Sequence, residues 1–247
     1  MSEVYYQDQN QTSSVVESFG KTFETSNLVD TFSQIGEFTL DQAIQNDLLK
    51  DIPVFGLLVS GYKTVVNVRD FNLTKKVFRF LYHLQDTTPE QRQKFVKKYV
   101  ETNQENTAAS VLDILDKLNS ANSVPLVCNL MKAVINDEIT ITQFNRLIIA
   151  IQKTAFTDLS QLGKYAQDYD EDGLSDALQA TGLIYQSVYD GGSAEEGDNT
   201  RFKISSNGYL LLKYGFIKNE IDNHTRSTEI NSGITQDKFD KIFNFNN

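Results

Sequence analysis

The chain has 247 residues and a formal net charge of −10, with 23 Lys and Arg against 33 Asp and Glu. A hydrophobic fraction of 40% and an aromatic fraction of 11% exclude a chain that is disordered throughout. The single cysteine, Cys128, excludes an intramolecular disulfide. The acidic balance argues against a general affinity for the phosphate backbone of nucleic acids.

The N-terminal segment, residues 1–13, is rich in Gln, Asn and Ser, and we predict that it is disordered. It lacks both a basic start and an apolar run, so we predict no signal peptide and a cytoplasmic location. From Ser14 onward, apolar residues recur at helical spacing, as at Val15, Val16, Phe19 and Phe23.

The stretch from Ile52 to Leu84 combines an apolar first half with a basic second half. From residue 54 to 68 the apolar residues are nearly continuous, broken by Gly56, Gly61 and Lys63, and the two glycines favour a bend or a close backbone approach there. An a/d stripe then predicts an amphipathic helix. Its members are Val66, Leu73, Val77, Phe80 and Leu84.

Strong capping signals continue the helical pattern. Thr88-Pro89-Glu90-Gln91 is typical of a helix start, with a capping Thr, Pro at the first helical position and Gln completing a capping box. Further helices follow, with a turn predicted at Asn136-Asp137-Glu138. Residues 14–156 therefore predict an all-α multi-helix bundle of about seven helices.

After Phe156 the pattern changes to helix, strand, loop, strand and helix, which predicts a small α+β module over residues 157–217 and a polar tail over 218–247. The segment Gly182-Leu183-Ile184, the glycine-rich loop GGSAEEGDNT and the run RFKISSNGYLLL resemble the C-terminal half of a winged-helix module. This resemblance implies two strands joined by a wing and flanked by helices.

The layout of residues 52–156 resembles a group of uncharacterised bacterial helical proteins. The resemblance rests on Asp51-Ile52-Pro53-Val54, Arg69-Asp70, Lys75-Lys76 and the Val134–Phe144 turn. It implies a place in mobile or defence-associated gene neighbourhoods and assigns no catalytic residue.

One acidic loop has the spacing of a calcium site. Asp168, Asp170 and Asp172 occupy positions 1, 3 and 5, Gly173 occupies position 6, and Asp176 follows on the next helix. Position 12 is Gln179, so the usual bidentate Glu is missing. The two interpretations are a low-affinity Ca²⁺ site and a solvated acidic loop that caps the following helix. We predict no other cofactor.

Charge is unevenly distributed along the chain. Residues 61–100 carry a local charge of +6, whereas residues 157–200 hold ten acids and one base. The predicted basic surface has nine members: Lys63, Arg69, Lys75, Lys76, Arg79, Arg92, Lys94, Lys97 and Lys98. This surface has three interpretations: a solvated or self-docking face, a face for anionic lipid, and a nucleic-acid face.

These patterns favour a non-enzymatic interaction or regulatory protein that acts through protein–protein contacts or self-association. The first alternative is a peripheral, defence-type protein at the inner membrane that uses residues 54–68. The second is a DNA-binding regulator, which the acidic wing and the absence of Lys and Arg from Gly173–Gly182 make unlikely. His83 and His224 form no catalytic motif, and Cys128 lies in an apolar helix, so we predict no enzyme.

Overall fold

The computed structural model describes residues 2–33, 49, 52–60, 68–166, 174–188 and 200–216. Within these residues the chain is mainly helical, with one antiparallel pair of strands, and the predicted mainly α character is confirmed. A further capping-box sequence, Thr39-Leu40-Asp41-Gln42, predicts a helix start but lies outside the described residues. Residues 61–67, the part of the apolar run that contains Gly61, also lie outside them.

The chain divides into two compact units, and the division differs from the predicted boundary after Phe156. One unit comprises Met1–Val124 and Val134–Ile141, and the other comprises Pro125–Ala133 and Thr142–Asn247. Two hydrogen bonds within the second unit explain the difference. The Asn129 side-chain amide donates to the Gly215 carbonyl (2.8 Å), and the Thr154 hydroxyl donates to that of Thr181 (3.1 Å). Helical periodicity reveals an apolar face but not the element that covers it.

Helices form the described part of the first unit. They are α1 (Ser2–Thr25), α2 (Leu28–Ser33), α3 (Pro53–Ser60), α4 (Val68–His83), α5 (Pro89–Asn103), α6 (Thr107–Lys117), a 3₁₀ turn (Ala121–Ser123) and the end of α7 (Val124–Ile135). Helix α1 packs against α3, α5 and α6. The rings of Phe19, Phe23 and Phe80 meet at centroid separations of 5.8–6.0 Å and build the centre of this core.

Helix α1 begins at Ser2 and so includes the segment 2–13, for which the sequence predicts disorder. Phe19 and Phe23 are fully buried and fix the second half of this helix in the core. Extending an existing helix adds one hydrogen bond per residue without the cost of a new nucleus. The polar residues 2–13 can therefore continue α1 although they have no strong pattern of their own.

The second unit combines helices with a hairpin. After the 125–133 part of α7 come α8 (Ile141–Lys153), α9 (Phe156–Leu159), a 3₁₀ turn (Leu162–Ala166), α10 (Leu174–Ala180), β1 (Ile184–Val188), β2 (Thr200–Ile204), α11 (Ser206–Leu211) and a π-helical turn (Leu212–Phe216). The strands pair antiparallel, with Ile184 opposite Ile204 and Gln186 opposite Phe202.

Candidate functional site

In the first unit, cationic side chains donate hydrogen bonds at the C-terminal ends of helices. The last four carbonyl oxygens of an α-helix have no intrahelical donor, and the negative end of the helix dipole lies there. In three places a cation from another helix donates to such carbonyls. The donors all come from the stretch that the sequence marks as basic.

Arg92 supplies hydrogen-bond donors to the carbonyls at the C-terminal end of α1. This helix has no basic residue in its own last turn. Its Nε donates to the Phe23 carbonyl (2.5 Å), and its Nη2 donates to the Ser26 carbonyl. Its Nη1 donates to the carbonyl and the hydroxyl of Thr87. The side chain is 0% exposed. Burial lowers the pKa of Arg92 to about 10, with Glu90 opposing that shift, so the guanidinium stays charged at neutral pH.

Lys76 makes the same kind of contact at the end of α6. Its ammonium donates to the carbonyl oxygens of Asp116 (2.9 Å) and Leu118 (2.7 Å), and the residue is 8% exposed. Burial lowers the pKa of Lys76, and the neighbouring Asp116 carboxylate partly opposes this shift. Lys76 is therefore a buried capping residue of α6.

Replacing Lys76 with methionine should lower the free energy of unfolding by about 2 kcal/mol, because two carbonyls at the end of α6, one of them buried, lose a charged donor. Its neighbour Lys75 is exposed, and Lys75→Met provides a matched control with an expected change within about 0.5 kcal/mol. Urea unfolding followed by circular dichroism measures both variants. Equal losses in the two variants would mean that the contact at the end of α6 contributes nothing.

Lys94 and Lys98 lie one turn apart on α5 and hold the end of α7. Lys94 donates to the Ile135 carbonyl (2.6 Å) and Lys98 to the Val134 carbonyl (2.5 Å). The same two ammonium groups lie 2.6 and 2.5 Å from the two carboxylate oxygens of Asp137. Asp137 has a φ of 64°, the left-handed conformation that commonly ends a helix. Hydrogen bonds from Lys94 and then Lys98 lower the pKa of Asp137 to about 2.

The lowered pKa gives Asp137 a pH-dependent role. Its carboxylate contributes stability above its ordinary pKa of 3.8, and this contribution is lost as the pH falls toward 2. Asp137→Asn keeps a side chain that tolerates the left-handed conformation but removes the charge. We expect the variant to melt below the wild type at pH 5 and the gap to close by about pH 2. A constant gap across a pH series of melting temperatures would assign the loss to backbone conformation instead.

The predicted basic surface is therefore corrected for its buried members, Arg92 and Lys76, because their charged groups serve helix ends in the interior. Lys94 and Lys98 are also engaged, and Arg79 donates to the Asn122 side chain at 2.8 Å. The exposed members with described side chains are Lys75, Lys94 and Lys97, of which Lys94 makes the contacts given above and Lys97 lies 4.0 Å from Glu101. The side chains of Lys63 and Arg69 lie outside the described part of the chain.

Three of the four predicted calcium ligands, Asp168, Asp170 and Asp172, lie outside the described residues, as does Gly173. The fourth, Asp176, is exposed on α10. Among the side chains that the structure describes, no three His, Cys, Asp or Glu groups converge as a metal site requires. The calcium hypothesis stays a prediction.

The described part of the apolar run lies in the first unit's core. Val54 and Phe55 on α3 are fully buried, and the Phe55 ring lies 6.1 Å from that of Phe78 on α4. Helix α3 spans only Pro53–Ser60, and no described helix has the length and apolar content needed to cross a bilayer. Cys128 is fully buried in α7, as its apolar neighbours predict.

A further exposed feature, which the sequence patterns did not single out as a site, lies on the hairpin. Tyr185 is 49% exposed, and its neighbour Gln186 is exposed as well. Both belong to β1, which pairs with β2 on one side. The available sequence signal was the uncharged run Gly182–Tyr189, which lies between acidic stretches.

In comparisons with family models, curated proteins and solved structures, nothing matches this chain.

Proposed function

We propose that this chain is a non-catalytic interaction protein that acts through contacts with other proteins. The observation that carries the proposal is the use of its cations. Arg92, Lys76, Lys94 and Lys98 donate to helix-end carbonyls, so these groups are not available as a row of phosphate-binding charges.

The buried apolar residues support a protein partner over a lipid one. Val54 and Phe55 are the start of the segment that would enter the headgroup region in the membrane alternative, and both are fully buried. Interfacial helices bind lipid through an exposed apolar face. Helix α3 has these two large side chains inside the first unit instead.

For residues 157–217 we propose a winged-helix-like arrangement that contacts protein. The order α10, β1, β2 and α11 supports it, as does the turn at Gly182, whose φ is 71°. A DNA-reading helix needs cationic contacts to phosphate and donors to base edges. Helix α10 has the sequence LSDALQA, without a cation, and carries the exposed Asp176, which favours a protein partner.

The test compares three ligand classes with the full-length chain at physiological salt. We expect no flotation with vesicles that contain phosphatidylserine and no mobility shift with duplex DNA. A photo-crosslinking residue at the exposed position 185 should capture a protein, and that protein should bind again when both components are purified. The proposal fails if the chain floats with vesicles, shifts DNA, or loses its partner after nuclease treatment.

A further inference from the structure

The backbone of β1 has one edge that β2 does not use. The Ser205 amide donates to the Leu183 carbonyl (3.0 Å), just outside the paired residues, and this bond fixes the alternation of the antiparallel ladder. Tyr185 and Ser187 therefore exchange hydrogen bonds with β2. The N–H and C=O of Gln186 point to the opposite side, and they have no hydrogen-bond partner on that side in the described part of the chain.

This edge lacks the features that usually protect exposed strands. Natural edge strands carry charged residues, proline or bulges, or are covered by another element. The run Gly182–Tyr189 contains no charged residue and no proline. Ile184 is buried, but the strand emerges at Tyr185 and Gln186, which are exposed. Helix α10 contacts β1, and β2 lies against the 3₁₀ turn Leu162–Ala166.

We propose that the edge of β1 at Gln186 binds an extended peptide segment of a partner protein, which adds as a third strand. This inference rests on the proposed function and names its binding surface. Strand addition gains affinity from main-chain hydrogen bonds, while side chains on alternate positions give specificity. Tyr185 supplies a large exposed side chain that a β-branched residue of the added strand can cover.

Charge complementarity defines the flanks of that segment. The stretch from Thr157 to Thr200 contains β1 and holds ten acids and one base. A segment with an uncharged β-branched centre and Lys or Arg at its ends fits both the strand and the negative charge of the sequence around it, since the whole chain has a net charge of −10. A second copy of this chain would instead bring the same acidic excess toward its own kind, which like-charge repulsion opposes.

The probe for the test is the synthetic peptide KTVTVTK with blocked ends, titrated into the full-length chain by calorimetry. We expect binding that weakens as salt is added, and about tenfold weaker binding of the Glu-flanked peptide ETVTVTE. N-methylation of alternate residues removes the amides from one edge of the peptide and should abolish binding. Equal binding of the N-methylated peptide would overturn the proposal.

Two variants test the chain itself. Gln186→Pro removes only an outward amide, which an edge strand tolerates, so the fold should persist while binding of KTVTVTK is lost. Tyr185→Pro removes a ladder amide and should lower the melting temperature instead. Gln186→Lys keeps the backbone amide and places a positive charge beside the Lys residues of the probe. It replaces the proline variant in the test if that variant unfolds. Unchanged binding in Gln186→Lys and in a folded Gln186→Pro would overturn the proposal.

Hydrogen exchange distinguishes the remaining outcomes. The Gln186 amide should exchange quickly in the isolated chain and slowly with KTVTVTK bound. Concentration-dependent protection without peptide would identify a second copy as the occupant and overturn the peptide assignment. If the photo-crosslinked partner still binds Gln186→Lys while the probe never binds, the proposed function survives and the edge assignment fails. If neither the crosslinked protein nor the probe binds, both proposals fail.

Discussion

Replacing Arg92 with alanine should lower the free energy of unfolding of the first unit by about 3–5 kcal/mol. The guanidinium is fully buried and donates to the carbonyls of Phe23, Ser26 and Thr87. Alanine leaves these three acceptors without their charged donor and removes a long side chain from a packed interior. Each unsatisfied buried acceptor costs about 1–3 kcal/mol, and the cavity adds to this.

The control variants separate charge from geometry. Arg92→Lys keeps the cation but cannot reach three separated carbonyls with a single nitrogen, so we expect an intermediate loss. Lys97→Ala alters an exposed cation on the same helix and should change stability by less than about 0.5 kcal/mol. Chemical denaturation monitored by far-ultraviolet circular dichroism gives all three values. A loss for Arg92→Ala no greater than that for Lys97→Ala would show that the buried network contributes no net stability.

Features set by a few adjacent residues could be predicted from the sequence. The capping box at Thr88 is present, with the Gln91 amide donating to the Thr88 hydroxyl (3.3 Å) and the Thr88 amide donating to the Gln91 side chain (2.8 Å). The sequence predicts strands over Ile184–Asp190 and Arg201–Ile204. The structure describes them over Ile184–Val188 and Thr200–Ile204. Local hydrogen bonds and alternation need no knowledge of distant chain.

The role of the basic residues could not be predicted in this way. Arg92 contacts carbonyls of Phe23 and Ser26, which lie 69 and 66 residues earlier in the chain. Nothing in the position of Arg92 within the sequence of α5 distinguishes it from a surface cation, and Lys and Arg are rarely fully buried. The burial depends on where α1 ends and how α5 packs against it, which periodicity does not encode. The one available hint was that the last turn of α1 contains no basic residue.

The same limit applies to the assignment of α7 and α8 to units. Their apolar faces were predicted, but an apolar face can pack against elements on either side in sequence.

The edge of β1 illustrates the converse case. The alternation predicted a strand, whereas the direction of the Gln186 amide required the observed register and the bond between Ser205 and Leu183.

The second large effect is expected at Gly208, in the first turn of α11. A Cβ atom there would lie 2.0 Å from the Leu183 carbonyl oxygen and 2.7 Å from Cγ1 of Ile204. Leu183 cannot easily yield, because its oxygen already accepts the Ser205 amide at 3.0 Å, and its own amide donates to the Leu178 carbonyl at 2.9 Å. Gly208→Ala should therefore lower the free energy of unfolding of the second unit by about 3 kcal/mol, since α11 must separate from the hairpin.

Gly182 provides the matched control, because its constraint is backbone conformation rather than space. Its φ is 71°, and a Cβ atom built there meets nothing within 4 Å. Gly182→Ala should cost about 1–2 kcal/mol, and Gly182→Asn less, because Asn tolerates this conformation. Urea unfolding of the three variants tests the order. If Gly208→Ala costs no more than Gly182→Ala, then α11 is not held against Leu183 as closely as described, and contact with this carbonyl does not fix its position beside the hairpin.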